Sequence, residues 1–197
     1  MTQQIPDFFY YEGKELKIVG INGEGLYTPK DFGIETISAS TACWRGYFMR
    51  YEIKDNQLFL EGFHVRTPDG IVPPEINNTA PARLSKEYNP MGLRGLGFRY
   101  DYKDVYLKLP FTGSLLLGNK PLREEYVHMG FPSATSFQTV LKFEFKDGDL
   151  VRVEDISEKA EEVRLKNGDP KGYSPDSDSP EDIQKWIEKR FSLKPDL

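Results

Sequence analysis

Scarcity frames the reading of this chain. A single cysteine, Cys43, among 197 residues excludes an internal disulfide framework and any zinc site built from several thiolates. Only two histidines are present, His64 and His128. Their spacing to nearby carboxylates matches no ligand motif, so no metal is expected. No apolar run approaches the length that crosses a bilayer, and the first residues, M-T-Q-Q-I-P-D, lack a basic stretch followed by an apolar one. A cytoplasmic location without membrane attachment is therefore the expectation. Basic excess is missing too. With 26 Lys and Arg against 31 Asp and Glu, a net charge of −5 and interspersed signs, the chain lacks the basic stripe that nucleic-acid binding relies on.

Motifs of catalysis and cofactor binding are equally scarce. There is no G-x-S-x-G. The glycine-rich G-I-N-G-E-G at 20–25 is followed by Leu26-Tyr27-Thr28-Pro29 and not by a helix whose amides could face a phosphate. G-L-R-G-L-G at 92–97 runs into a strand-like stretch. No cofactor is expected. Cys43 in a strand context reads as a small buried residue and not as a nucleophile.

What the chain does have is aromatics at 13%, with 17 glycines and 14 prolines. That mixture suits many short strands and turns. Tyr47 to Lys54, Asp55-Asn56 and Gln57 to Val65 read as strand, two-residue turn and strand. Phe137 to Lys146, Asp147-Gly148 and Asp149 to Ile156 repeat the pattern. The echo marks either two related halves or only two hairpins with one buried face each. Shorter strands are predicted at Phe8 to Tyr11, Leu16 to Ile21 and Ser114 to Leu117, with a strand pair at Gly95 to Tyr102 and Asp104 to Phe111. Thr67 to Pro90 is a long excursion.

From Ser157 the periodicity turns helical, ending at Asn167-Gly168. A polar linker covers Asp169 to Ser179. Ser179-Pro180-Glu181-Asp182 then opens a second helix with Ile183, Trp186, Ile187 and Phe191 on one stripe, facing either its own domain or a partner. The fold class predicted is mainly antiparallel β, a barrel or a two-sheet sandwich, with one or two C-terminal helices. Residues 1–156 form the core domain and 157–197 a helical appendage packed on it.

Alternation from Cys43 puts Cys43, Arg45, Tyr47, Met49, Tyr51 and Ile53 on a core face. Trp44, Gly46, Phe48, Arg50, Glu52 and Lys54 take the other, whose apolar first half needs a cover. A guanidinium among apolar neighbours must be paired or open into a polar pocket, because it cannot shed its charge. Trp44, Arg45, Tyr47 and His64, with His128, mix planar, cationic and hydrogen-bonding groups of the kind enriched in binding sites. The plainer alternative is that Trp44 covers a sheet face and Arg45 makes a structural ion pair.

Two functions of different class are carried forward. One is a non-enzymatic binding protein that recognises a protein partner or a small ligand near Trp44 and Arg45. The other is a small hydrolase using Arg45, Glu52, His64 and His128 brought together in space. The segments S-T-A-C-W-R-G-Y, Y-E-I-K-D-N-Q-L-F-L, E-E-Y-V-H-M-G-F and L-K-F-E-F-K-D-G-D-L-V resemble a family of uncharacterised bacterial proteins. The resemblance implies a bacterial intracellular setting and a shared core, and transfers no activity.

Overall fold

The described residues form ten strands, all within one sheet: β1 (Phe8–Tyr11), β2 (Lys14–Glu24), β3 (Tyr47–Lys54), β4 (Gln57–Val65), β5 (Ala82–Arg83, inside the predicted excursion), β6 (Tyr100–Tyr102), β7 (Leu107–Lys108), β8 (Thr112–Pro121), β9 (Phe137–Lys146) and β10 (Asp149–Asp155). Helices α1 (Ser157–Asn167) and α2 (Pro180–Arg190) come last. The structure, a computed structural model, describes residues 2–126, 128–167, 177, 179–195 and 197. Apart from Ser177 and Ser179, the predicted linker and the helix stop at Gly168 lie outside the described residues. The fold is mainly β with two C-terminal helices, as the sequence predicts.

The sheet runs β10-β9-β8-β2-β1-β3-β4, and β10 meets β4 again where Asp149 lies opposite Gln57. The sheet thus returns on itself, and the contact is made by the two similar hairpins touching turn to turn. Leu58 N–H donates to Gly148 O (2.8 Å) and Leu150 N–H to Asn56 O (2.9 Å). Asn56 Nδ2 adds a bond to Leu150 O, and Gln57 Nε2 one to Asp149 Oδ1, each 3.0 Å. Both turns hold positive φ at both central residues: Asp55 51° and Asn56 62°, Asp147 52° and Gly148 86°. That is the requirement of the two-residue turn whose twist matches its strands.

Every strand pair is antiparallel except one. β1 lies parallel to β3, with Phe8 opposite Arg50 and Phe9 opposite Tyr51. Parallel neighbours need a long crossover, and β2 together with residues 25–46 supplies it. Two further expectations are corrected. The strand pair predicted over 95–111 is instead two short strands, β6 and β7, each paired with β4, and Pro90–Leu96 winds into 3-10 turns ahead of β6. Cys43 does not share the core face of Met49 and Tyr51: β3 starts only at Tyr47, and the chain turns at Gly46, where φ is 76°.

The interior is aromatic. Phe9, Met49, Tyr51, Phe63, Tyr102, Phe111 and Phe143 are buried in one cluster, and burial of each such side chain contributes on the order of 1.5–3 kcal/mol. Phe48 faces out of the sheet, and the predicted cover is there: Leu84, Leu93 and Phe98 close over it together with Ala39 and Cys43. A third cluster seats α1 through Ala160 on Val19, Leu116, Ala134, Phe137 and Val140. Ser157 Oγ pins the start of α1 by accepting Val140 N–H (3.0 Å).

Candidate functional site: an aromatic cavity beside Arg45

Arg45 precedes β3 and points its guanidinium at Asp7, just ahead of β1. Nη1 donates to Asp7 Oδ2 (3.0 Å) and Nη2 to Asp7 Oδ1 (2.7 Å), a two-pronged pairing that suits guanidinium geometry. Nη2 also reaches Ile5 O at 3.2 Å. Asp7 Oδ1 further accepts Met49 N–H at 2.6 Å, tying the pair to the first turn of β3. Burial is the largest single influence and works against the guanidinium's charge, but Asp7 together with Tyr47 and Cys43 outweighs it and the net shift is upward. The guanidinium lies over the rings of Tyr47 (4.7 Å) and Phe131 (5.1 Å). Arg45 is therefore both the structural ion pair of the plainer reading and part of an aromatic wall.

Beside it opens a cavity of about 330 Å³ lined by Gln4, Trp44, Arg45, Tyr47, Phe131, Phe191 and Leu193. Trp44 is 44% exposed and stacks on Phe191, centroids 4.9 Å apart and planes 16° apart. Phe191 in turn meets Phe131 edge-on at 6.5 Å. Gln4 fastens the floor: its Oε1 accepts Trp44 N–H (2.9 Å) and its Nε2 donates to Thr41 O (3.0 Å). Three stretches far apart in sequence thus converge on the loop before β3. Burial raises the Tyr47 hydroxyl and the Cys43 thiol above their ordinary values, and Cys43 donates to Tyr47 O. A buried thiol raised in this way is a packing residue.

Of the predicted site residues, Trp44, Arg45 and Tyr47 meet in this cavity. His64 and His128 do not line it. His64 stands on the outer face of β4 in a second polar cluster. There Arg50 donates from Nε to Glu61 Oε2 (2.6 Å), from Nη2 to Tyr102 O (2.8 Å), and from Nη1 to His64 Nε2. Nη1 also reaches Asp101 Oδ1 at 3.3 Å. Because a guanidinium can only donate, Nε2 must be the acceptor, which places the imidazole proton on Nδ1. Nδ1 lies 3.0 Å from Asp101 Oδ1 but out of line for a hydrogen bond. Tyr88 Oη donates to Asp101 Oδ2 (2.6 Å). Burial, then the Arg50 charge, lowers His64 to about 3, against the pull of Asp101. It is neutral at physiological pH.

The four residues of the hydrolase alternative have separate surroundings. Arg45 is on Asp7, His64 is on Arg50, and His128 is exposed beside Tyr126, centroids 5.2 Å apart. Glu52 lies opposite Phe59 and Tyr10 in the sheet, its carboxyl raised by burial and by neighbouring Glu61. With its Nε2 lone pair taken and its proton affinity so low, His64 is a poor general base.

Sequence reasoning missed Gln4, Phe131, Phe191 and Leu193 in the cavity, Asp7 as the partner of Arg45, and Glu61 and Asp101 in the second cluster. Asp7 had a signal: an acid between Ile5-Pro6 and Phe8-Phe9 is out of place unless paired. The others are long-range partners. Comparison of the chain with protein-family models, with curated proteins and with solved structures finds no match, so its function is argued from the site itself.

Proposed function

We propose that this is a binding protein that works without catalysis and accepts a compact apolar or aromatic group, from a small ligand or from a side chain of a partner protein, in the cavity beside Trp44, Arg45 and Tyr47. The observation that carries the reading is the aromatic lining of that cavity. Its volume of about 330 Å³ falls at the lower end of small-molecule sites, enough for one ring system. The Gln4 amide is engaged by Trp44 N–H and Thr41 O, and both terminal nitrogens of Arg45 are bonded to Asp7, while the buried Arg45 Nε has no hydrogen-bond partner among the described residues. The guanidinium's charge is thus already matched by the Asp7 carboxylate, whereas a flat apolar group meets Trp44, Phe131 and Phe191.

Titration with indole, followed by amide chemical shifts, tests this. Shifts concentrated at Trp44, Arg45, Tyr47, Phe131 and Phe191, and lost in a Leu193→Trp variant that fills the cavity, are the expected result. Shifts scattered over the surface, or unchanged by the filling substitution, would overturn the reading. A peptide carrying one tryptophan, tested alongside, separates the partner-protein source from the small-ligand source by which of the two binds more tightly.

A further inference from the structure

We infer that α2 and the segment after it act as a clasp on the cavity, docked when the site is filled and loosened when it is empty. This rests on the binding reading and adds its regulation. Two of the cavity walls, Phe191 and Leu193, belong to this segment. Among its attachments are two backbone hydrogen bonds and two apolar contacts. Phe131 N–H donates to Arg190 O (2.9 Å), Ile21 N–H donates to Leu193 O (2.6 Å), Phe191 stacks on Trp44, and Leu197 packs on the cluster around Val19 and Phe137.

α2 itself has no buried residue. Of the stripe predicted at Ile183, Trp186, Ile187 and Phe191, Ile183 is 37% and Ile187 39% exposed. An element with so little buried apolar surface opens at low free-energy cost compared with the strands of the sheet. A group in the cavity that touches Phe191 and Leu193 binds only the docked arrangement, so filling the cavity shifts the segment toward docking. The reverse also holds: whatever pulls the segment away weakens binding by the same factor.

One position is built for the docking. Gly130 has φ 84°, and a Cβ there would stand 2.2 Å from Arg190 O. Only glycine lets the 128–131 stretch approach the end of α2 this closely.

Hydrogen exchange of the Ile21 and Phe131 amides in the full chain, with and without indole, reads the clasp directly. Both should exchange much faster than sheet amides such as Leu117, and slow in proportion to indole saturation. Gly130→Ala should speed both amides and weaken indole about tenfold. Leu197→Asp loosens the segment from a point away from the cavity, and should do the same if Gly130→Ala proves unable to fold. Faster exchange at both amides with unchanged indole affinity would overturn the clasp and leave the binding reading standing. If the two amides are as protected as Leu117 with and without indole, the clasp is likewise overturned. Absence of indole binding to the unsubstituted protein would remove the binding reading, and the clasp with it.

Discussion

Arg45 and Arg50 are five residues apart, and both are held by acids that arrive from elsewhere in the chain, yet they serve opposite ends. Arg50, 11% exposed, spends its donors on Glu61, His64, Asp101 and Tyr102 O, under a cover that includes Tyr88. Arg45 spends its terminal nitrogens on Asp7 and Ile5 and lies against the Tyr47 and Phe131 rings on the lining of the cavity. A polar cluster whose members are bonded to one another acts as a rivet. A charge neutralised at the edge of an aromatic cavity makes a wall. His64, one of the two histidines that the sequence offers for chemistry, is in the rivet, whereas Glu52 and His128 are not part of it.

The rivet's geometry explains a local oddity of β4. Its buried residues switch from Leu58 and Leu60 to Phe63 and Val65, because a bulge at Glu61 sets Arg50 opposite Gly62 and Tyr51 opposite Leu60. The extra residue lets Glu61 meet Arg50. Gly62 leaves room for the guanidinium: a Cβ there would lie 2.5 Å from Arg50 Nη2 and 2.1 Å from Tyr102 O.

The largest expected effect separates the two arginines by stability. Arg50→Met leaves Asp101 and Glu61 without their cation in a buried setting and should cost about 3–5 kcal/mol. Arg45→Met leaves Asp7 with the Met49 amide still donating and should cost about 2 kcal/mol. Urea unfolding of both variants measures the difference. Equal losses would erase the distinction between rivet and wall.

Next in size is an acid effect confined to the rivet. His64 is neutral in the folded protein, lowered to about 3, and protonates near 6.5 when unfolded. Its folded form therefore contributes stability that is fully present above about pH 6.5 and drains away as pH falls toward 3. Between pH 7 and pH 5 the loss should be about 2 kcal/mol. A His64→Gln variant, less stable at pH 7, should lose little over the same interval. A parallel decline in both proteins would assign the acid sensitivity to other groups.

The smallest stability effect belongs to the wall. Trp44→Ala should cost only about 1 kcal/mol, since the indole is nearly half exposed and loses chiefly its stack on Phe191. A loss near that of Arg50→Met, read by thermal unfolding, would make Trp44 a core residue.

Both hairpins, their turns and the N-cap of α2 were legible in the sequence because each rests on contiguous residues: alternation over Tyr47–Lys54 and Phe137–Lys146, and the Ser179-Pro180 start. Trp44, Arg45 and Tyr47 were legible as a site for a similar reason. A charge inside an aromatic run must be resolved somehow. Their partners were not, since Asp7, Phe131 and Phe191 reach them only through the parallel β1–β3 pairing and the return of the chain after α2. Nor could sequence place His64, which shares the hairpin with Arg45. It faces the opposite side of the sheet from Phe63 and Val65, and only its pairing opposite Phe48 puts it under the outer cover.

The most direct test of the division between the two clusters is an indole titration of Trp44→Ala and Tyr88→Phe beside the unsubstituted protein, read by calorimetry. Loss of binding in Trp44→Ala with unchanged affinity in Tyr88→Phe is the result this account predicts. Unchanged affinity in Trp44→Ala, or loss in Tyr88→Phe, would contradict it.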